Sequence, residues 1–414
     1  MSTQPRPALR DPQFLRYLGG QAVSGLGDQV WYVALSWSAV RLSSPAGAAT
    51  ALTLSSLPRL TLMLFGGVIA DRVDIRRLMI GSDAARTAIT LIAVAIAITV
   101  PGIGLLVVIA IVYGVVDGVF MPAAGAMQPR LLDPSQYNNG AVAANLTTRL
   151  ALSLGAPLGG VMVAVGGLPL ALAVDAATFA VSVGTLATVR PRPLSADRAH
   201  TDEHAGVVGK RAAMFAADLI AGVRFLIGQP VLGPVTAITL LDNLGFVGPM
   251  NIGIAELSDH RGWEATGIGL MLAGFGAGAV TSSLIQMRWR IRNRAGVWII
   301  ALCTASGGAL LALALAPSLG AAVATTALLG LFSGPLAVAS SVLTQQHTPD
   351  ELRGRVSSFN LLSSYGTVPL AMVGTGVAIA SIGVTGTFAV CGAINAAALL
   401  FLLAPTFRRS AIRS

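Results

Sequence analysis

Long apolar blocks of about 20 residues alternate with short polar breaks along most of this chain. At 1.5 Å per residue, such a block covers the roughly 30 Å hydrocarbon layer of a bilayer as a helix. Lipid offers a backbone amide no partner, so a crossing segment must be a helix or a strand of a closed barrel. The blocks lack the two-residue alternation of barrel strands, which leaves helices. Twelve are expected, at roughly 15–42, 46–70, 78–99, 104–125, 139–165, 168–189, 231–256, 265–286, 296–315, 318–346, 355–381 and 384–405. The pattern therefore predicts an all-α integral membrane protein of twelve transmembrane helices. No short apolar core with a small-residue cleavage site follows Met1, so the first span is expected in the mature protein.

Composition agrees: of 414 residues, 54% are hydrophobic and only 11% charged, against roughly a quarter charged in an ordinary soluble domain. A net charge of +9 would by itself invite a nucleic-acid reading, but the positions argue against one. Of the 27 lysines and arginines, only Arg41 and Arg261 fall beside the odd-numbered loops, and Arg59, Arg86 and Arg149 lie within spans. The rest precede the first span, follow even-numbered spans or sit in the tail. By the positive-inside rule, both termini are expected in the cytoplasm, with the chain in the cell (inner) membrane. No nucleic-acid partner is expected.

The longest polar stretch, Arg190 to Lys210, separates two sets of six spans. It predicts an N-terminal half over 1–190, a cytoplasmic linker over 191–230 and a C-terminal half over 231–414. Within the linker, AADLIAGVRFLIG mixes apolar residues with Asp218 and Arg224 at helical spacing, as in a helix lying on the membrane surface. The halves repeat one another. Asp28 in the first span and Asp242 in the seventh are 214 positions apart, and the helix-start grammar of Asp133-Pro134-Ser135-Gln136 returns 215 positions later at Thr348-Pro349-Asp350-Glu351. Either start is ordinary alone; the shared offset argues for duplication and two pseudo-symmetric six-helix bundles.

Charges inside the spans carry the candidate chemistry. A charged side chain at mid-bilayer costs about 2.5–3.5 kcal/mol on insertion scales, so it normally faces a cavity or a partner. Asp28, flanked by Gly27 and Gln29 with Gln21 two turns earlier, is the leading candidate for a carboxylate that couples a proton or binds a cation. The alternative is a structural ion pair with an arginine, for which Arg59 in span two and Arg149 in span five are available. Asp117 in span four and Asp242-Asn243 in span seven are further candidates for a transport pathway. Asp83 and Arg86, three residues apart, read as a structural pair on one helix face, and Asp175 as helix-packing glue. Most of the 47 glycines suit close approach of membrane helices.

Other chemistries find little support. Cys303 and Cys391 fall in apolar spans nine and twelve and read as small packing residues. His200, His204, His260 and His347 are scattered and share no metal-ligand spacing, so no metal is expected. There is no G-x-x-x-x-G-K-[ST] loop and no Ser/His/Asp constellation; an enzyme, a nucleotide drive and a cofactor are not expected.

The loop after span two runs Gly66-Gly67-Val68-Ile69-Ala70-Asp71-Arg72-Val73-Asp74-Ile75-Arg76-Arg77. It resembles the signature loop of the major facilitator superfamily: a glycine, three residues, Asp-Arg, then a basic pair. GLGDQVWYVAL in span one, DAATFAVS in span six, GVRFLIGQPVL before span seven and PDELRGRVSS before span eleven are similar to the macrolide-efflux and enterobactin-exporter branch. Asp74 departs from the broad pattern, which has glycine there, and Ile75 stands where a basic residue is usual. MRWRIRNR after span eight keeps the charge without the pattern. Gly155-Ala156-Pro157-Leu158-Gly159-Gly160 resembles the antiporter motif with its proline displaced by one. The resemblance implies a monomeric carrier, bound by membrane lipids, that exports a drug-like small molecule by alternating access in exchange for protons. It also implies a cytoplasmic gate at Gly67, Asp71, Arg72, Arg76 and Arg77, docking near Gly354. An uptake symporter of the same fold shares every feature except the antiporter-like segment.

Overall fold

The computed structural model describes residues 8–72, 74–100, 102–192, 223–226, 228–288, 295–349 and 352–403. Among them all regular structure is helical: α1 (Pro12–Leu42), α2 (Pro45–Arg72), α3 (Ile75–Thr99), α4 (Ile103–Leu131), α5 (Tyr137–Thr188), α6 (Leu232–Gly248), α7 (Ile254–His260), α8 (Glu264–Arg288), α9 (Ala295–Ala314), α10 (Leu319–His347) and α11 (Arg353–Ala396). The predicted spans fall on these helices within a few residues. Of the linker's surface-helix stretch only 223–226 and 228 are described, 223–226 as helix; its remainder, residues 289–294 of the Arg288 to Arg294 cluster and the Asp350-Glu351 helix start lie outside the described residues.

Two of the helices are really two rods each. Gly167 in α5 has φ 64° and ψ −160°, and Gly383 in α11 has φ 74° and ψ 174°. That region is open essentially to glycine alone. The neighbours show that the chain reverses there. Before Gly167, Gly155 and Gly159 lie against Leu26 and Val30 of α1, so the two helices run in the same sense. After it, Thr178 lies against Gly27 and Thr185 against Gly20, so the sense is opposite. Both limbs of α5 thus flank the same length of α1. In α11 the two limbs likewise meet one stretch of α6, Thr375 at Gly248 and Asn395 at Gly245. With α6 and α7 continuous through a π-turn at Pro249–Gly253, the described helices are compatible with the twelve expected passes, and eight of them are long and apolar enough to cross a membrane.

Each start has a local cause. Asp11 caps α1, accepting from the N–H groups of Gln13 at 2.8 Å and Phe14 at 3.2 Å, with Pro12 at the first helical position. Asp74 caps α3, accepting from the N–H of Arg77 at 2.9 Å. The residue that departs from the superfamily pattern therefore supplies the first orphan amide of α3 with its partner. The predicted start at Asp133 is realised differently: Pro134–Gln136 form one 3₁₀ turn before α5 opens, and Asp133 pairs with Arg192 instead.

The helices pack as two compact units, one taking the chain to Ser195 together with Ile254–Gly276, the other Ala196–Gly253 with Ala277–Ser414. In the first, α1 lies between the limbs of α5, while α2 packs on α4 and α3 on both α4 and α5. In the second, α6 and α9 pack on α11, and α10 packs on α9. Large apolar side chains such as Val165 (78% exposed) and Leu370 (68%) point outward, which is costly in water and favourable against lipid.

Candidate functional site

The polar centre of the first unit is built on Arg86, near the middle of α3 and almost wholly buried. Its guanidinium pairs with Asp117 of α4, lies 3.6 Å from Asp83 one turn before it on α3, and is covered by the rings of Phe120 and Phe179 at 4.9 and 5.0 Å. Asp117 also lies 3.8 Å from Arg59 of α2, whose guanidinium reaches the Met121 sulfur at 2.9 Å. The second oxygen of Asp83 accepts from the Ser182 hydroxyl at 2.6 Å.

Asp28 belongs to this cluster. It is half-buried on α1, next to Gly27, on which a Cβ would stand 2.7 Å from Asp175 Oδ1, and within the electrostatic reach of Arg86, Asp117, Asp83 and Arg59. Asp175, fully buried in the second limb of α5, accepts from the Tyr113 hydroxyl at 2.7 Å. Tyr113 in turn meets Thr90 and packs against Trp31 and Phe179, with ring centroids at 5.3 and 5.9 Å. Four carboxyls from four helices thus gather round two guanidiniums.

The structure redistributes the expected roles. Arg86, read from sequence as half of a local structural pair, is the hub that joins three helices. Asp175 is a member of the network as well as a packing residue. Arg59, read as a possible partner for Asp28, pairs with Asp117 instead. Arg149 forms no ion pair among the described residues. Gln21 is close by on α1, its Nε2 buried without a hydrogen bond among those residues.

In the second unit Asp242 of α6 is half-buried. Its Oδ1 accepts from Asn395 Nδ2 at 3.2 Å and faces the Cys303 thiol at 3.9 Å. Cys303 is a packing residue, as expected, in a buried cluster with Val235, Ile238, Ile299 and Leu336, but it also donates to the Asn395 carbonyl at 3.4 Å. Asn243 has its Nδ2 buried without a partner among the described residues. Neither Asn395 nor Cys303 carries a signal in the sequence, since each is one uncharged residue in an apolar helix.

The antiporter-like glycines are contact surfaces. A Cβ on Gly155 would stand 2.8 Å from the Leu26 carbonyl of α1, and one on Gly159 would stand 3.0 Å from Val30 Cα. At Gly160 it would stand 2.8 Å from the Ala265 carbonyl of α8. Pro157 lies in the same stretch, facing Gly269 of α8. This limb of α5 therefore presses on two helices at once. At the same unit's rim, Arg41 of α1 pairs with Asp259 of α7 at 3.1 Å and covers the Trp37 ring at 5.6 Å.

Of the signature loop, the side chains of Gly67, Asp71 and Arg72 lie outside the described residues. Arg76 is engaged within its own unit: its Nε donates to the Leu186 carbonyl at 3.1 Å and its Nη2 to that of Ala187. It thereby covers the last carbonyls of α5, where the helix dipole favours a cation. Arg77 is exposed.

Comparison with known proteins agrees with this architecture. An MFS-type transporter of Bacillus subtilis, YfiS, is 26% identical over 405 residues, 94% of this chain and 92% of its own. The multidrug efflux pump Tap of Mycobacterium tuberculosis is 25% identical over 395 residues, covering 92% and 90%. The crystal structure of a D-xylose-proton symporter superposes with a TM-score of 0.70 over 95% of this chain and 97% of that one, at 12% identity, a likeness of fold. The Major Facilitator Superfamily family model matches residues 17–255 and 232–413. With its all-helical architecture and that match over nearly its whole length, the chain belongs to the Major Facilitator Superfamily of membrane transporters.

Proposed function

We propose that this transporter exports amphiphilic small molecules across the cell membrane by alternating access, driven by protons moving inward. The observation that carries the reading is the imbalance at Arg86. Among the described residues, Asp28, Asp83, Asp117 and Asp175 have Arg86 and Arg59 as their close counter-charges. An ionised carboxylate in a low-dielectric interior is tolerated only with a partner. Two surplus carboxyls are therefore a built-in capacity for protons. Asp28 and Asp117 are half-buried where Asp83 and Asp175 are fully enclosed; Asp117 is paired with both guanidiniums, so Asp28 is the member placed to exchange them. The efflux activity named for the Tap relatives and the antiporter-like segment of α5 favour export over uptake.

In this reading the halves 1–190 and 231–414 rock about the linker, with both termini cytoplasmic. The loop from Gly67 to Arg77 gates the cytoplasmic side, with Asp71 and Arg72 at the gate and Arg76 anchoring it to the end of α5. Membrane lipids surround the helices.

The test uses everted vesicles holding the wild-type chain or Asp28→Asn, bathed in a labelled panel of amphiphilic compounds under an imposed pH gradient. Wild type should pump at least one compound into the vesicle lumen, the topological outside, at the expense of the gradient. Asp28→Asn should uncouple that movement from pH. Movement of substrate with the proton would make the chain a symporter, and unchanged pH dependence in Asp28→Asn would remove Asp28 from the proton path.

A further inference from the structure

The two units build one three-helix contact twice and charge it differently. In the first unit it brings α1, α3 and the second limb of α5 together where Gly27, next to Asp28, faces Asp175, a Cβ there standing 2.7 Å from Asp175 Oδ1, and where the Arg86 guanidinium lies 5.0 Å from the Phe179 ring one turn beyond Asp175. In the second it joins Asp242 of α6, Cys303 of α9 and Asn395 in the second limb of α11. The offsets are 214, 217 and 220 positions, and the helices correspond pass for pass. The acid on the first helix is kept. A thiol stands where the arginine would be, and an amide replaces the second acid.

The consequence is a carboxylate without a resident cation. Among the described residues no arginine, lysine or histidine pairs with Asp242. Its printed bonds, from a neutral amide and a weak thiol donor, both fall on Oδ1, leaving Oδ2 of a half-buried side chain for another group. Asn395, which orients Oδ1, is itself fully buried. Beside it lie Val235, Ile238, Ile299 and Leu336 of the cluster that contains Cys303. A membrane-embedded charge with greasy walls and no internal counterion is matched by a cation with apolar substituents, which pays less desolvation than a compact ammonium.

We propose that Asp242 is the specificity-determining acceptor for the positive centre of lipophilic cations, held in position by Asn395 and Cys303, while the arginine-bearing trio of the first unit serves the proton. This rests on the chain being a carrier, and it separates two duties between two copies of one motif.

The probe is tetraphenylphosphonium, a permanent lipophilic cation, with the purified full chain in detergent and equilibrium dialysis as the readout. Wild type should bind it saturably. Asp242→Asn should weaken binding by at least about tenfold, the scale of losing a desolvated charge partner. Asp242→Glu, which keeps the charge, should stay within about threefold, and so answers for any folding defect in the amide variant. In the vesicle panel, Asp242→Asn should lose the cationic compounds and keep the pH-driven movement of uncharged ones. Absence of tetraphenylphosphonium binding by wild type, equal binding by Asp242→Asn, or equal loss of charged and uncharged compounds would each overturn the proposal. In the second case the carrier reading, tested through Asp28, would still stand.

Discussion

Removing the guanidinium at position 86 should unfold the first unit far more readily than removing any other single charge in it. Arg86→Ala takes away the shared partner of Asp117 and Asp83 and the cation lying between the rings of Phe120 and Phe179. Breaking a buried pair from one side costs about 3–5 kcal/mol, because the remaining charge is stranded, and each desolvated cation–π contact adds about 0.5–2 kcal/mol. Carboxyls that take up protons recover part of this, so a net loss of about 3–5 kcal/mol is expected. At roughly 2–4 °C per kcal/mol for a domain of this size, the apparent Tm should fall by about 6–20 °C. The assay is thermal unfolding of the full chain in mild detergent, followed by the monodisperse fraction remaining on size exclusion. Arg86→Lys should lie between, since an ammonium restores charge but not the planar fork. The double variant Arg86→Ala/Asp117→Asn should be more stable than Arg86→Ala, because it removes one stranded acid as well. A fall of less than about 2 °C in Arg86→Ala, or a double variant less stable than the single, would refute the hub assignment.

Two further outcomes follow from local geometry. Asp74→Ala deletes the cap of α3 and should cost about 1 kcal/mol, read as a drop of a few degrees in the same unfolding assay; Asp74→Ser should recover most of it. Gly160→Leu drives a side chain into the Ala265 backbone of α8, which cannot rotate away, and should cost at least about 1–3 kcal/mol. Gly81→Leu, where a Cβ would meet nothing within 4 Å, is the control for a leucine added to an open helix face.

Segment length was the most legible property of the sequence, because lipid imposes a single length scale on every pass. The break between spans five and six was readable at Gly166-Gly167 for the same reason, and the structure adds why one glycine suffices: only it adopts the reversal at φ 64°. The π-turn at Pro249–Gly253, inside a run read as one continuous span, went unpredicted, although Pro249 between Gly248 and Gly253 is its mark. The Asp83–Arg86 pair read from the sequence is present, but its local sufficiency hid the rest of Arg86's surroundings. Asp83 three residues before it supplied a partner on paper, so nothing asked for Asp117, which is 31 residues away in sequence. Asn395 and Cys303 were beyond reach, since a neutral side chain among apolar neighbours gains meaning only from what faces it across 153 and 61 positions.

The reversal of α5 also fixes an order of manufacture. The helix that holds Asp28 is made before the two rods that clasp it, and the second of those ends only at Thr188. At about 5–20 residues per second, the ribosome leaves that aspartate without its lateral wall for about 10–30 s. Until then the nascent acid must rest against water, the translocon or a provisional neighbour, so biogenesis of this transporter is most vulnerable before its sixth pass has been delivered.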